Sequence, residues 1–276
     1  LCYYQHFAEG VFYGPQPPPG SPPPPPPFCP FTSRQQVGHF MYVLDQGNDQ
    51  ILVLNSNRFT VLDTIKLTDP FSMAFSPSLA LLAVTNFASS IVSFIDTDPR
   101  SPSFNTVIAT SRVAQGPTAI AWQPDGEQVL VLSTEANTLS VLSAGNFEVL
   151  AEVSGSLNRP FELAVTERYV NTGNTSSVYY AYILNSNGTI AVFESGPNGV
   201  NGIGFNDVIG TTEQTFRRAR AIRLDPQSTF GGVYVCHVDE SGLGQVSRVE
   251  LTSTPFGALP TNQISGNGLV LPPTFR

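Results

Sequence analysis

Lysine is nearly absent from this chain. Lys66 stands alone against twelve arginines, and charged residues make up only 12% of the 276. That is about half the roughly 25% usual in soluble domains, a balance that fits a secreted or envelope protein, or a subunit covered by its neighbours. The net charge of −8 and a pI near 4.8 argue against nucleic acid, whose binding needs Lys and Arg to neutralise phosphate. Only three histidines occur, His6, His39 and His237, and none has a visible nucleophile beside it. Three cysteines without close spacing make no zinc set. The chain has no Gly-x-Ser-x-Gly elbow, phosphate loop, haem-attachment motif or His-Glu-x-x-His. The glycine-rich stretch Gly196 to Gly204 lacks a strand-then-helix setting and reads as a loop. No run approaches 18 apolar residues, so no transmembrane helix is expected. Helical stretches of about 10 to 15 residues between strands are missing too, which excludes a parallel α/β fold.

What the chain does have is repetition. Tyr42-Val43-Leu44-Asp45, Ala83-Val84-Thr85-Asn86, Leu130-Val131-Leu132-Ser133, Tyr182-Ile183-Leu184-Asn185 and Tyr234-Val235-Cys236-His237 recur at intervals of 41 to 52 residues. The second repeat shows the unit most clearly. Phe71 to Ser76 leads to Pro77, then come Leu81 to Asn86, Ile91 to Asp96, and Thr106 to Thr110 before Gly116-Pro117. Each run is short, rich in Val, Ile, Thr and Phe, and bounded by Pro, Gly, Asn, Asp or Ser, as strands are. Four strands per unit at this period predict an all-β protein, a β-propeller of four-stranded antiparallel blades with about five repeats. Asn187-Gly188 predicts a tight hairpin with both central residues at positive φ.

These units resemble the YVTN family of propeller repeats, on Gly116-Pro117, Pro124-Asp125-Gly126, Ala83-Val84-Thr85-Asn86 and Ile95-Asp96. The likeness runs over about residues 38 to 275. Phe40 begins at the second strand of a unit, and the tail Gly268-Leu269-Val270-Leu271-Pro272 reads as a first strand. The spacing therefore predicts that the tail completes the first blade and closes a ring of five. A larger ring of which this chain is one part is the alternative, since families of this type more often have seven blades.

The sequence divides into a propeller domain, 38–276, and an aromatic and proline-rich arm, 1–37. Eleven prolines fall between Pro15 and Pro30, six of them consecutive from Pro22 to Pro27. Such a run adopts polyproline II. It serves either as a stiff spacer or strap over a neighbour, or as a ligand for an aromatic-lined groove. Cys2 and Cys29 flank the arm. A disulfide between them in an oxidising compartment is one reading, acylation of Cys2 as in a lipoprotein another. Cys236 reads as a small buried hydrophobe. Asn174-Thr175-Ser176 and Asn187-Gly188-Thr189 match the glycosylation acceptor pattern.

The one dense charge cluster is Arg217-Arg218-Ala219-Arg220, with Arg223 beyond it, where an innermost strand begins. It reads as an anion site at the channel mouth, joined by Glu162 from another inner strand, or as arginines paired with Glu213 or Asp225. Two functions are open. The first is a non-catalytic, extracytoplasmic propeller that acts as a structural or docking subunit through its faces and its proline arm. The second, implied by the resemblance, is a lactonase-like hydrolase with its site at the channel mouth. Neither calls for a cofactor or metal, and the expected partners are other protein subunits.

Overall fold

The computed structural model describes residues 40–170, 177–196, 206–212, 215–225 and 232–250, together with short strands at 263–264 and 269–270. The arm, with Cys2 and Cys29, lies outside these residues, as do Asn174 and Glu213. Among the described residues there is one 3₁₀ turn, Gln46–Asn48, and no α-helix. None is long and apolar enough to cross a membrane.

Five antiparallel blade sheets, and a separate two-stranded one beside the fourth, follow one another along the chain. Blade I has three strands, β1 (Phe40–Asp45), β2 (Gln50–Asn55) and β3 (Val61–Lys66). Blade II is β4 (Pro70–Phe75), β5 (Leu81–Asn86), β6 (Ile91–Asp96) and β7 (Val107–Arg112). Blade III is β8 (Pro117–Trp122), β9 (Gln128–Ser133), β10 (Thr138–Ser143) and β11 (Val149–Val153). Blade IV opens with β12 (Pro160–Val165) and carries a small hairpin of β13 (Tyr169–Val170) and β14 (Ser177–Val178). It is completed by β15 (Tyr180–Asn185), β16 (Ile190–Glu194) and β17 (Asp207–Thr211). Blade V is β18 (Ala221–Leu224), β19 (Val233–Val238) and β20 (Gly244–Glu250), with β21 (Gln263–Ile264) and β22 (Leu269–Val270) both on the edge of β20.

Proline at the head of the first strands sets a repeated irregularity. It has no N–H to give the ladder, and the pairing skips Phe71, Thr118 and Phe161, the residues after Pro70, Pro117 and Pro160. The outer strands of blades I to IV each skip one residue as well, at Leu62, Ile108, Leu150 and Ile209. Such bulges increase local twist, which suits an edge strand at the rim.

Consecutive inner strands lie side by side, β4 against β8, β8 against β12 and β12 against β18. Apolar clusters join neighbouring sheets. Ile51, Val53 and Val84 join blades I and II, while Phe94, Trp122 and Val131 join II and III. Leu132, Tyr179 and Phe193 join III and IV, and Tyr182, Ile222 and Val235 join IV and V. Because both faces are covered, β9 and β15 are buried along nearly their whole length, whereas β19 alternates buried and exposed residues. Among the described residues no apolar cluster joins blade V to blade I.

Three expectations change. Leu269-Val270 does not complete blade I: β22 pairs with Gln245 and Val246 of β20, so the tail strand sits on the outer edge of blade V. The Asn187-Gly188 turn is longer than a two-residue hairpin, because β15 ends at Asn185 and β16 begins at Ile190; the Gly188 N–H bonds the Asn185 carbonyl, and only Gly188 is at positive φ. A Cβ there would come within 2.5 Å of the Phe216 carbonyl oxygen. Finally, Cys236 is exposed rather than buried. It falls on the face of β19 that the described residues leave uncovered.

Candidate functional site

The proline bulge of β12 positions Glu162 opposite Leu184, and β18 positions Arg223 opposite Tyr234. As β12 and β18 are neighbours, the Arg223 guanidinium reaches across and donates through Nη1 to Glu162 Oε1. The same Nη1 lies 2.6 Å from the Ile222 carbonyl. The pair borders a cavity of about 470 Å3 enclosed by inner strands of blades II to V, with Ser72, Met73, Ile120 and Leu163 in its wall. The guanidinium is 69% exposed and the carboxylate 28%, so solvent screens the pair and it contributes little stability, about 0–1 kcal/mol. Chemically this is a hollow of mixed polar and apolar lining with one neutralised carboxylate. The guanidinium keeps further N–H donors for an incoming anion.

Glu162 thus borders the channel, and Arg223 meets it there. Arg217, Arg218 and Arg220 stay in the link ahead of β18, exposed and outside the lining of that cavity. Arg217 reaches the Glu240 carbonyl at 3.5 Å. Arg218 has a φ of 49°, and the Arg220 N–H bonds the Cys236 carbonyl. Asp225 turns to β20. Its carboxylate accepts from Nε of Arg248 at 2.7 Å, Arg248 lying on β20 in the same sheet, across β19 from β18. His237 packs against the Phe216 ring, 5.2 Å between centroids, with Nε2 2.7 Å from the Ser247 hydroxyl, a structural placement. Asn187 is exposed, with its side-chain oxygen accepting from the backbone and hydroxyl of Thr189. Among the described residues no three His, Cys, Asp or Glu side chains gather as metal ligands.

A second hollow was not anticipated from the sequence. It lies at the junction of blades I and II, encloses about 350 Å3, and is walled by aromatic rings. One local signal marks it: Leu79 occupies the turn position that Gly126 holds one repeat later.

Neither a protein-family model nor a curated protein matches the sequence. Solved structures do. Hydrazine synthase of Kuenenia stuttgartiensis superposes with a TM-score of 0.56 at 16% identity, over 76% of this chain and 59% of that one. The dihydro-heme d1 dehydrogenase NirN, in complex with DHE, gives 0.50 at 17%, over 80% and 44%. A Bacteroides uniformis protein carried under the name 6-phosphogluconolactonase gives 0.54 at 12%, over 83% and 70%. The chain therefore spans about half the length of the first two. At these identities the likeness extends to architecture and not to activity. Sheets in sequence order, apolar seams between them and inner strands around a common hollow make this chain an all-β propeller of about five four-stranded blades.

Proposed function

We propose that the chain is a non-catalytic propeller of the YVTN type that works outside the cytoplasm as a structural or docking subunit of a larger assembly. The observation that carries this reading is the row of bulged aliphatic side chains along the rim. Leu62, Ile108 and Leu150, the skipped residues of three successive outer strands, are 53%, 44% and 54% exposed. Phe59 and Val61 extend the row on blade I and Val107 on blade II. Regularly placed exposed apolar groups on a surface poor in charge favour protein contact. The scarcity of charge, with a single lysine, supports the extracytoplasmic setting.

A lactonase-like hydrolase is the second reading, favoured by the anion-competent Arg223 beside Glu162 at the channel and by the neighbour named 6-phosphogluconolactonase. Arg217, Arg218 and Arg220 would then serve as outer anion contacts. Native mass spectrometry of the full chain, paired with a screen of sugar lactones with and without divalent metal, separates the two. The docking reading expects a defined assembly that dissociates in a Leu62→Ser, Ile108→Ser, Leu150→Ser variant, with no turnover. A monomer that hydrolyses a lactone, and loses that activity in Glu162→Ala or Arg223→Ala, overturns it.

A further inference from the structure

The hollow between blades I and II is a groove of unusual make-up. Phe40 and Tyr42 rise from β1, Phe75 ends β4, Leu79 sits in the turn before β5, and Pro99 and Arg100 follow β6. The Tyr42 and Phe75 rings meet edge to face at 5.2 Å, and Phe40 rests on Phe104 at 5.4 Å. Tyr42 is pinned at its far end, where its hydroxyl donates to Asn105 at 2.7 Å and the Asn105 amide donates to Asp63 at 2.9 Å. The rings therefore hold fixed faces toward the opening.

Within this groove Leu79 stands out, as Phe59 does in the turn after β2, by combining a left-handed backbone with an exposed apolar side chain. In blade III the same turn is Gln123-Pro124-Asp125-Gly126, closed by the Gly126 N–H on the Gln123 carbonyl, with Gly126 at φ +79°. In blade II it is Ser76-Pro77-Ser78-Leu79, closed in the same way, with Leu79 at φ +60° and 66% exposed. A leucine in a left-handed turn that glycine fills more easily leaves two thirds of its surface exposed at the edge of the groove. Broken local rules of this kind mark functional positions.

We infer that this groove is the dock for the chain's own polyproline run, Pro22–Pro27, folded back across the junction of blades I and II. Polyproline II is recognised by aromatic-lined grooves because its prolyl rings lie on ring faces and its conformation is already ordered. A run of prolines offers carbonyl acceptors and no N–H. Arg100 supplies matching donors, since among the described residues two of its five N–H groups are engaged, both by Asp98. No charged residue occurs between Pro15 and Pro30, in keeping with an apolar seat. Reach is sufficient. The arm joins the blade at Phe40, itself part of the groove, and Pro27 stands thirteen residues upstream, an extended span of about 45 Å. Six prolines rise about 19 Å. Tethering supplies an effective concentration on the order of millimolar, so a weak contact suffices.

The test places the photo-crosslinker p-benzoylphenylalanine at position 28 of the full chain, next to Pro27. Irradiation of a mixture of isotopically light and heavy protein, followed by tryptic mapping, is expected to link the arm within one chain to the 67–100 peptide, which carries Phe75 and Leu79, or to the 35–58 peptide, which carries Phe40 and Tyr42. The Leu79→Gly variant is expected to keep its melting temperature, because glycine suits that turn, while the crosslink yield falls about tenfold, the effect of losing one leucine contact. Crosslinks to another region, crosslinks only between light and heavy chains, or a yield unchanged by Leu79→Gly would overturn the proposal.

Discussion

At the scale of single residues, side chains at strand ends tie each blade to its neighbour. The Asn185 side-chain oxygen accepts the Asn158 N–H at 3.0 Å while its amide donates to the Thr189 hydroxyl at 3.0 Å. The Ser133 hydroxyl bonds the Ala114 carbonyl. The lone tryptophan, Trp122, donates through its indole N–H to the Ala74 carbonyl of the preceding blade at 2.8 Å. Tyr42 does similar work between blades I and II, and its titration reports on it. Burial, and next the charges of Asp63 and Asp96, push its hydroxyl from 10.0 up to about 12. Buried Tyr179 shifts the same way, chiefly through burial. A phenol whose folded pKa is raised contributes stability that is fully present below about pH 10 and is lost as pH climbs toward 12. Urea unfolding followed by Trp122 fluorescence should therefore show stability falling over that window. Tyr42→Phe should cost about 1 kcal/mol at neutral pH, through the lost bond to Asn105, and flatten the alkaline decline. An unchanged alkaline slope would remove Tyr42 from the account.

At the scale of the strand, position within the blade decides how much a side chain matters. Middle strands are sandwiched on both faces, which is why their sequences read as continuous apolar runs rather than alternating ones. Leu130 on β9 has no solvent exposure, whereas Leu150 on β11 is more than half exposed. Leu130→Ala is expected to destabilise by about 2–5 kcal/mol through the cavity it opens. Leu150→Ser should change stability by less than about 0.5 kcal/mol while weakening association at the rim. Denaturant midpoints for the two variants check the contrast; a comparable loss in both would mean that the bulge residues are structural. The bulges were not visible in the sequence, since a skipped residue leaves the count of apolar positions unchanged. Only the pairing of β10 with β11 shows that Leu150 has no partner.

For the whole molecule, stability is unevenly distributed. Blades II to IV have covered faces on both sides, and blades I and V each have one face that the described residues leave open. Local opening follows buried contact, so amide exchange should be fastest in blade V and in β3, and slowest in β9, β10 and β15. Equal protection across all five sheets, measured by hydrogen exchange with mass spectrometry, would show that the junction of blades V and I is sealed.

The strands of blades II and III, their four-fold grouping and the near-forty-to-fifty-residue period were legible in the sequence, because each depends on contacts among residues close along the chain; β3, β17 and the true shape of the Asn187-Gly188 turn were not. Legible too was the place of Glu162 on a first strand. Which arginine meets it was decided in space. Adjacent inner strands bring Arg223 alongside β12, while the denser cluster at 217–220 stays in the link and Asp225 turns to Arg248. The exposure of Cys236, the seating of Leu269-Val270 on β20 and the aromatic groove under Leu79 were decided in the same way. Each depends on which sheet lies next to which, and local spacing carries no record of a neighbour some fifty residues away.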